Sequence, residues 1–358
     1  MYHTKTIHDL IDIQEIYLEP AVREYPRGRE ILARFPEARL TEVPSHWKIP
    51  SLHGFEGSVE NWLKIKRNVL ILGIKKSLTA RPNTRSSNFV SPSESNGCTM
   101  SCSYCYVPRR KGYANPITLF VNIEQIMGYL VRHAQRQGPK PQPDPIDPFY
   151  WVYEIGENGD CSADAALCDN VKDLVTLFKT IPNGKLTFAT KFVNRDLLHY
   201  DPQGKTRIRF SLMTHKFSKL VDVRTTPISD RIDVMNEFTA AGYEVNVNFS
   251  PVIYYEGWEQ DWLELFKELN DKLDAPTKEA LTCEIIFLTH NEQLHHVNMG
   301  WHPKAEELLW TPELQEFKYS ETGGRNVRYK RGLKARLVNT LVEMVKKELP
   351  YCGVRYAF

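Results

Sequence analysis

The run Val69 to Ile74, bounded by Arg67 and Lys75, has the length of a buried strand. It falls far short of the roughly twenty apolar residues that span a bilayer. Upstream, Ile16 to Phe35 carries apolar residues at helix-compatible spacing, interrupted by Pro20 and Pro26. Lys75 to Ser91 is polar and irregular. Val121 to Gln137 has the periodicity of an amphipathic helix and runs into Gly138–Pro148, where five of eleven residues are proline. Such a stretch is a loop or surface excursion, because proline lacks the N–H that helices and central strands need.

Beyond it the pattern becomes regular. Phe149–Glu154, Lys185–Thr190, Arg207–Leu212, Tyr243–Phe249 and Leu281–Phe287 read as strands. Between them, Ala163–Lys179, Asn194–His199, Ile228–Ala241 and Trp258–Leu273 read as helices, with Gly242 as a C-terminal stop. Strands alternating with helices predict an α/β fold with parallel strands, either an open doubly wound sheet or a barrel. Barrel enzymes carry their chemistry on the loops after the strands. The loop holding Cys98, Cys102 and Cys105, and also Cys161, Lys191, Ser211 and Ser250, all fall at or after the ends of expected strands.

The chain has 358 residues, 42% hydrophobic and 25% charged, which excludes a disordered or fibrous protein. A net charge of +2 neither demands nor forbids a nucleic-acid partner, so any basic surface must be local. Met1 to Pro20 is broken by His, Lys, Asp and Glu and has no signal-peptide core. The expectation is a soluble, cytoplasmic protein with no membrane association. Seven cysteines, three in one tight group, suit a reducing compartment and a metal site better than a disulfide framework.

That group is Asn96-Gly-Cys98-Thr-Met-Ser-Cys102-Ser-Tyr-Cys105-Tyr106, a C-x3-C-x2-C spacing. Three thiolates on a short loop can ligate three irons of a four-iron–four-sulfur cluster. The fourth iron is then open to chelate S-adenosylmethionine, whose reductive cleavage yields a 5′-deoxyadenosyl radical. A zinc site completed by His133, Cys161 or Cys168 is the alternative, although paired CxxC halves are missing. Tyr104, just before the third cysteine, matches the radical S-adenosylmethionine superfamily pattern.

From about Tyr17 to the C-terminus the chain resembles the spore photoproduct lyase family. Seven collinear stretches carry the resemblance: Glu19–Arg29, the Asn96–Tyr106 loop, Val121–Glu124, Thr190-Lys191, Arg209–Leu212, Pro251–Trp258 and Tyr356. The resemblance implies a partial (β/α) radical-SAM barrel with an N-terminal α/β extension. The expected division is 1–85 for the extension, 86–320 for the barrel and 321–358 for a basic segment packed on it. It also implies repair of a pyrimidine photolesion in DNA, and a reductant such as flavodoxin or ferredoxin. The same radical machinery acting on a peptide or small metabolite is the alternative.

The resemblance further implies roles for single residues. Cys161, in Asp160-Cys-Ser-Ala-Asp164, matches a cysteine that returns a hydrogen atom to the product radical; its other reading is a small apolar residue at a strand end. Lys191 matches a lysine that pairs with the cofactor's carboxylate, Ser211 and Ser250 match cofactor contacts, and Tyr106 matches a radical-relay tyrosine. Ala163 stands where the family has a second Ser. The Cys105–Cys161 spacing is longer than in the family, and the proline-rich excursion can hold the difference. Ser320–Arg325 replaces a Gly-Arg-Tyr substrate element.

Cys168, seven residues after Cys161, is expected two turns along the same helix as core filling, with a second redox thiol as the alternative, and Cys283 and Cys352 as buried and inert. His295-His296, adjacent on one element, point apart, so no metal is expected there. Arg325–Arg336 has six basic residues in twelve and no acid. With Arg109-Arg-Lys111 it could hold a phosphate backbone through Arg109, Arg325, Arg328, Lys330 and Arg331, or simply begin a solvated helix.

Overall fold

The computed structural model describes residues 7–49, 52, 59–107, 112, 114–319 and 324–358. A five-stranded sheet is built from β1 (Glu15–Leu18), β2 (Arg39–Glu42), β3 (Val69–Gly73), β6 (Ser95–Asn96) and β7 (Ile117–Phe120), in the order β2-β1-β3-β7-β6. Only β6 runs antiparallel. Every residue of β3 is buried, as expected for a parallel strand covered on both faces.

The larger sheet has eight strands. They are β4 (Arg81–Pro82), β5 (Phe89–Val90), β8 (Trp151–Glu154), β9 (Gly184–Thr190), β10 (Thr206–Leu212), β11 (Glu244–Val252), β12 (Thr282–Phe287) and β16 (Gly353–Ala357), in the order β16-β12-β11-β10-β9-β8-β5-β4. All but β4 are parallel. Alternate side chains explain its shape. Leu186, Phe188, Ile208, Phe210, Leu212, Val245, Val247 and Phe249 join the apolar core. Their neighbours Thr187, Arg207, Arg209, Ser211, Asn246 and Asn248 fill the other face with polar groups.

The sheet curls into a half-barrel. Arg209 on β10 bonds Glu154 on β8 and, at 3.1 Å, Glu284 on β12. Those carboxylates lie four strands apart, about 19 Å in a flat sheet, so only curvature brings them to one guanidinium. The sheet ends nearly meet as well: Ser86, between β4 and β5, lies 2.9 Å from the Tyr356 hydroxyl of β16.

A third, antiparallel sheet joins β13 (Thr289–Asn291), β14 (Gln315–Tyr319) and β15 (Arg325–Tyr329) in the order β13-β15-β14. Sheet membership crosses positions 85 and 320: β6 and β7 sit with the N-terminal strands, β15 with β13, and β16 with the barrel. Among the described residues, no helix is long and apolar enough to cross a membrane.

Three expected helices are interrupted. Ile16–Phe35 becomes β1, a 3-10 turn at Pro20–Glu24 and a helix at Pro26–Arg34. Each proline opens a helical piece, where its missing N–H costs nothing. Ala163–Lys179 divides into Cys161–Asp164 and Asn170–Thr180. The Asp160 carboxylate caps the first piece by accepting from the Ser162 and Ala163 N–H groups. Asn170 restarts the chain by donating to the Phe120 carbonyl at 3.1 Å. Cys168 therefore lies between the helices, buried in the core of the N-terminal sheet, and not along the helix of Cys161. The Ile228–Ala241 helix breaks at Val234, and Gly242 ends it at φ +90°.

Candidate active site

The cysteine loop leaves β6 through Gly97, whose φ is +89°. A side chain there would be doubly opposed, because a Cβ would stand 2.2 Å from the Pro116 carbonyl oxygen. The loop is then tied to both halves of the molecule. The Ser101 and Ser103 N–H groups donate to the Val223 and Val221 carbonyls at 3.0 and 2.9 Å. Thr99 donates to Leu10 at 2.7 Å, and Lys66 to the Cys98 carbonyl at 2.9 Å. Cys98, Cys102 and Cys105 all line a cavity of about 450 Å³ at the mouth of the half-barrel. That volume suits a nucleoside-sized ligand.

The donor set, three thiols on one loop, fits an iron–sulfur cluster. Ligand sulfurs on one tetrahedral zinc, at about 2.3 Å from the metal, stand roughly 3.8 Å apart. Among the described residues, only His290, His295 and Glu306 bring three or more His, Cys, Asp or Glu ligand atoms within 4.8 Å of one another. The three thiols share one short loop, the arrangement a cubane taking one thiolate per iron uses. The expected fourth zinc ligands are elsewhere. His133 faces the Tyr153 hydroxyl at 2.9 Å, Cys161 is in the barrel core, and Cys168 is in the N-terminal core. Burial first, then the Asp222 charge, pushes the Cys102 thiol up to about 12, so metal capture must displace its proton.

Lys191 lies at the end of β9 in the cavity wall, with Ser211 and Ser250 beside it. Its Nζ donates to Asp222 at 3.1 Å and to the Ser250 carbonyl at 3.0 Å. Asp222 also accepts from Tyr104 and from two nitrogens of the buried Arg231, each at 3.1 Å. Burial would raise its pKa, but the charges of Lys191 and Arg231 hold it below the usual carboxylate range. Arg231 reaches the Ser211 carbonyl at 2.6 Å, joining both strand ends into one braced rim. Tyr106 is 46% exposed and donates to the Glu157 carbonyl at 2.6 Å.

Cys161 is fully buried and does not itself line the cavity, although Gly156, Glu157, Gly159 and Asp160 of its loop do. Gly156 is the thin point of that wall: a Cβ there would lie 3.2 Å from the Cys161 Sγ. Burial, then the carboxylates of Glu94, Asp164, Glu154 and Asp160, pushes the thiol far up and keeps the S–H intact.

Sequence reasoning missed Lys66, Asp222 and Arg231. Each lies on an element remote from the cysteines in sequence, so no local motif marks it. The basic run is less free than its composition suggests. Arg325 pairs with Glu292 at 2.8 Å, Arg328 with Glu316 at 2.9 Å, and Lys330 donates to the Glu313 carbonyl at 2.7 Å. Arg331 begins the Arg331–Glu348 helix at the surface. Partly exposed pairs of this kind contribute little to stability. Arg109 lies outside the described residues.

An open parallel half-barrel with three thiols on one loop, facing a nucleoside-sized cavity, defines a radical S-adenosylmethionine enzyme. The family model for spore photoproduct lyase matches residues 12–358. The spore photoproduct lyase of Bacillus subtilis (strain 168) is 26% identical over 349 residues, covering 96% of this chain and 97% of that one. The enzyme of the same name from Geobacillus sp. (strain Y412MC61) is 24% identical over 344 residues, covering 95% and 97%. A mutant spore photoproduct lyase solved with bound AdoMet and dinucleoside spore photoproduct superposes with a TM-score of 0.86 at 23% identity, covering 97% of this chain and 99% of that one. The chain belongs to the spore photoproduct lyase family.

Proposed function

We propose that this protein reverses a pyrimidine photolesion in DNA by radical S-adenosylmethionine chemistry. The observation that carries the reading is the ring of Cys98, Cys102, Cys105, Lys191, Ser211 and Ser250 around one cavity, in a chain of this family throughout. Relatives of the same fold are solved with AdoMet and the dinucleoside spore photoproduct. When bound, the cluster and S-adenosylmethionine supply the 5′-deoxyadenosyl radical, given an electron from a donor of the flavodoxin or ferredoxin type.

The three thiols would hold the cluster. Lys191 would exchange part of its contact with Asp222 for the cofactor's carboxylate, while Tyr104 and Arg231 hold Asp222 in place. Ser211 and Ser250 would orient the cofactor from the ends of β10 and β11. Cys161, kept protonated by burial and then by its acidic surroundings, would give its hydrogen atom to the product radical across Gly156 and become a thiyl radical. Tyr106, at the cavity edge, would relay that radical onward. The lesion must leave the base stack, at a cost of a few kcal/mol. Arg325, Arg328, Lys330, Arg331 and Arg109 would offset that cost through the phosphates and make binding fall steeply with salt.

The test is anaerobic reconstitution, then incubation with S-adenosylmethionine, reductant and irradiated or intact duplex at two salt concentrations. Lesion loss on irradiated DNA, with salt-sensitive binding, supports the reading. The replacement of the family's Gly-Arg-Tyr element by Ser320–Arg325 favours a shifted substrate. Cofactor cleavage with an unchanged lesion and weak, salt-insensitive binding would point to a peptide or metabolite substrate.

A further inference from the structure

A second group of ligand-type side chains lies outside the cavity rim. His290 is in β13, His295 on the Glu292–Trp301 helix, and Glu306 on the Pro303–Leu309 helix that follows. The His290 Nε2 stands 3.0 and 3.1 Å from the two Glu306 oxygens, and the His295 Nδ1 stands 2.6 Å from one of them. His290 and Glu306 are buried, and His295 is nearly so beneath Trp310, whose ring stacks on it at 4.1 Å. His296 takes no part. The pairing is between His290 and His295, which sequence adjacency could not reveal.

The one carboxylate of this group is surrounded by two imidazoles and an amide. Among the described residues, the ion-pair partners of the Glu306 carboxylate are the two imidazoles, with no lysine or arginine. A buried carboxylate is costly without a dependable positive partner. Three donors from three elements, two nitrogens and a carboxylate, form a set that borderline divalent ions prefer. Ligands about 2.0–2.1 Å from a tetrahedral ion stand roughly 3.3 Å apart. The His290–Glu306 separations are already within about 0.3 Å of that, and the His295–Glu306 separation needs to open by about 0.7 Å. Glu306 is already oriented by Asn298, which donates to its other oxygen at 2.5 Å. Outer-sphere bonds of that kind commonly hold metal-binding carboxylates.

We propose that His290, His295 and Glu306 bind one divalent transition-metal ion of the zinc class, separate from the iron–sulfur cluster. The ion's position gives it a structural task. It staples β13, which pairs with the basic strand β15, to the two helices below. The Asn298 amide also donates to the Ser103 carbonyl, within the cysteine loop, at 2.6 Å. A loaded site therefore braces the loop from outside the cavity.

The test uses the full chain with Cys98→Ala, Cys102→Ala and Cys105→Ala, so that no cluster iron confuses the count and failure of the radical reading cannot mimic failure here. After chelator treatment, desalting and exposure to Zn²⁺, elemental analysis should find one retained zinc per chain. Co²⁺ should give ligand-field absorption of a nitrogen–oxygen site. His290→Ala should lose the ion, and Glu306→Gln should weaken binding at least tenfold. His295→Gln, at the least buried member, should do the same while circular dichroism shows a folded chain. The proposal is overturned if the folded parent retains no zinc, or if zinc persists unchanged in His295→Gln and His290→Ala.

Discussion

Asp222→Asn removes one charge from a site where two cations depend on it. Arg231 is 1% exposed, and Lys191 is mostly buried. Breaking a buried ion pair by removing one partner costs about 3–5 kcal/mol, because the other charge is left uncompensated. Arg231 keeps neutral acceptors in the Thr226 carbonyl at 2.7 Å, the Ser211 carbonyl at 2.6 Å and the Thr225 hydroxyl at 2.6 Å. Asparagine keeps an acceptor oxygen, so the lower end applies: about 3 kcal/mol, or a Tm fall of roughly 4 °C for a chain of this length at ~2.1 cal/mol/K per residue. Urea unfolding followed by circular dichroism measures it, and Asp222→Leu with Arg231→Met should recover part of the loss in a double-mutant cycle.

The acid limb gives a second reading of the same residue. The carboxyl is held below its ordinary value in the folded chain, so its contribution is complete above the unfolded pKa near 4. That contribution is lost as pH falls through the lower folded value, and the Asn variant should lack this part of the acid loss. A variant within about 0.5 kcal/mol of the parent, with an identical acid limb, would refute the reasoning.

Replacing Cys98, Cys102 or Cys105 with Ala should abolish four-iron incorporation and 5′-deoxyadenosine formation, read by iron and sulfide content and by chromatography. Zinc lost only when these cysteines are replaced, with no iron uptake and no reductive cleavage in the parent, would overturn the cluster assignment. Cys161→Ala should keep the cluster and still cleave the cofactor but divert the product radical to aberrant products; loss of the cluster instead would make Cys161 structural. Gly156→Ala should partly mimic it, because the added methyl meets the Cys161 Sγ at 3.2 Å and Phe188 at 3.3 Å. Lys66, 2% exposed against the cysteine loop, places an ammonium beside the thiolates. Lys66→Met should shift the cluster midpoint negative by roughly 60 mV in an EPR titration, equivalent to ~1.4 kcal/mol; an unmoved midpoint would show that the charge is not felt there.

The three-cysteine loop, the strand-then-helix rhythm and the proline excursion were legible in the sequence because each is local. Ligand spacing on one loop, a period-two strand and a proline's missing N–H depend on neighbours a few residues away. Lys191, just after β9, and Ser211 and Ser250, near the C-terminal ends of β10 and β11, share one rim because the ends of parallel barrel strands share a face. Tertiary structure alone decided the rest. Curvature brings Glu154 and Glu284 to Arg209, and the fold brings Asp222, 31 residues beyond Lys191, to its ammonium. The packing of three elements sets His290 and His295 on Glu306, and the hairpin register turns Arg328 toward Glu316. These pairings join residues with no common period along the chain. They exist because burying a charge requires a partner, and only the folded backbone determines which partner is within reach.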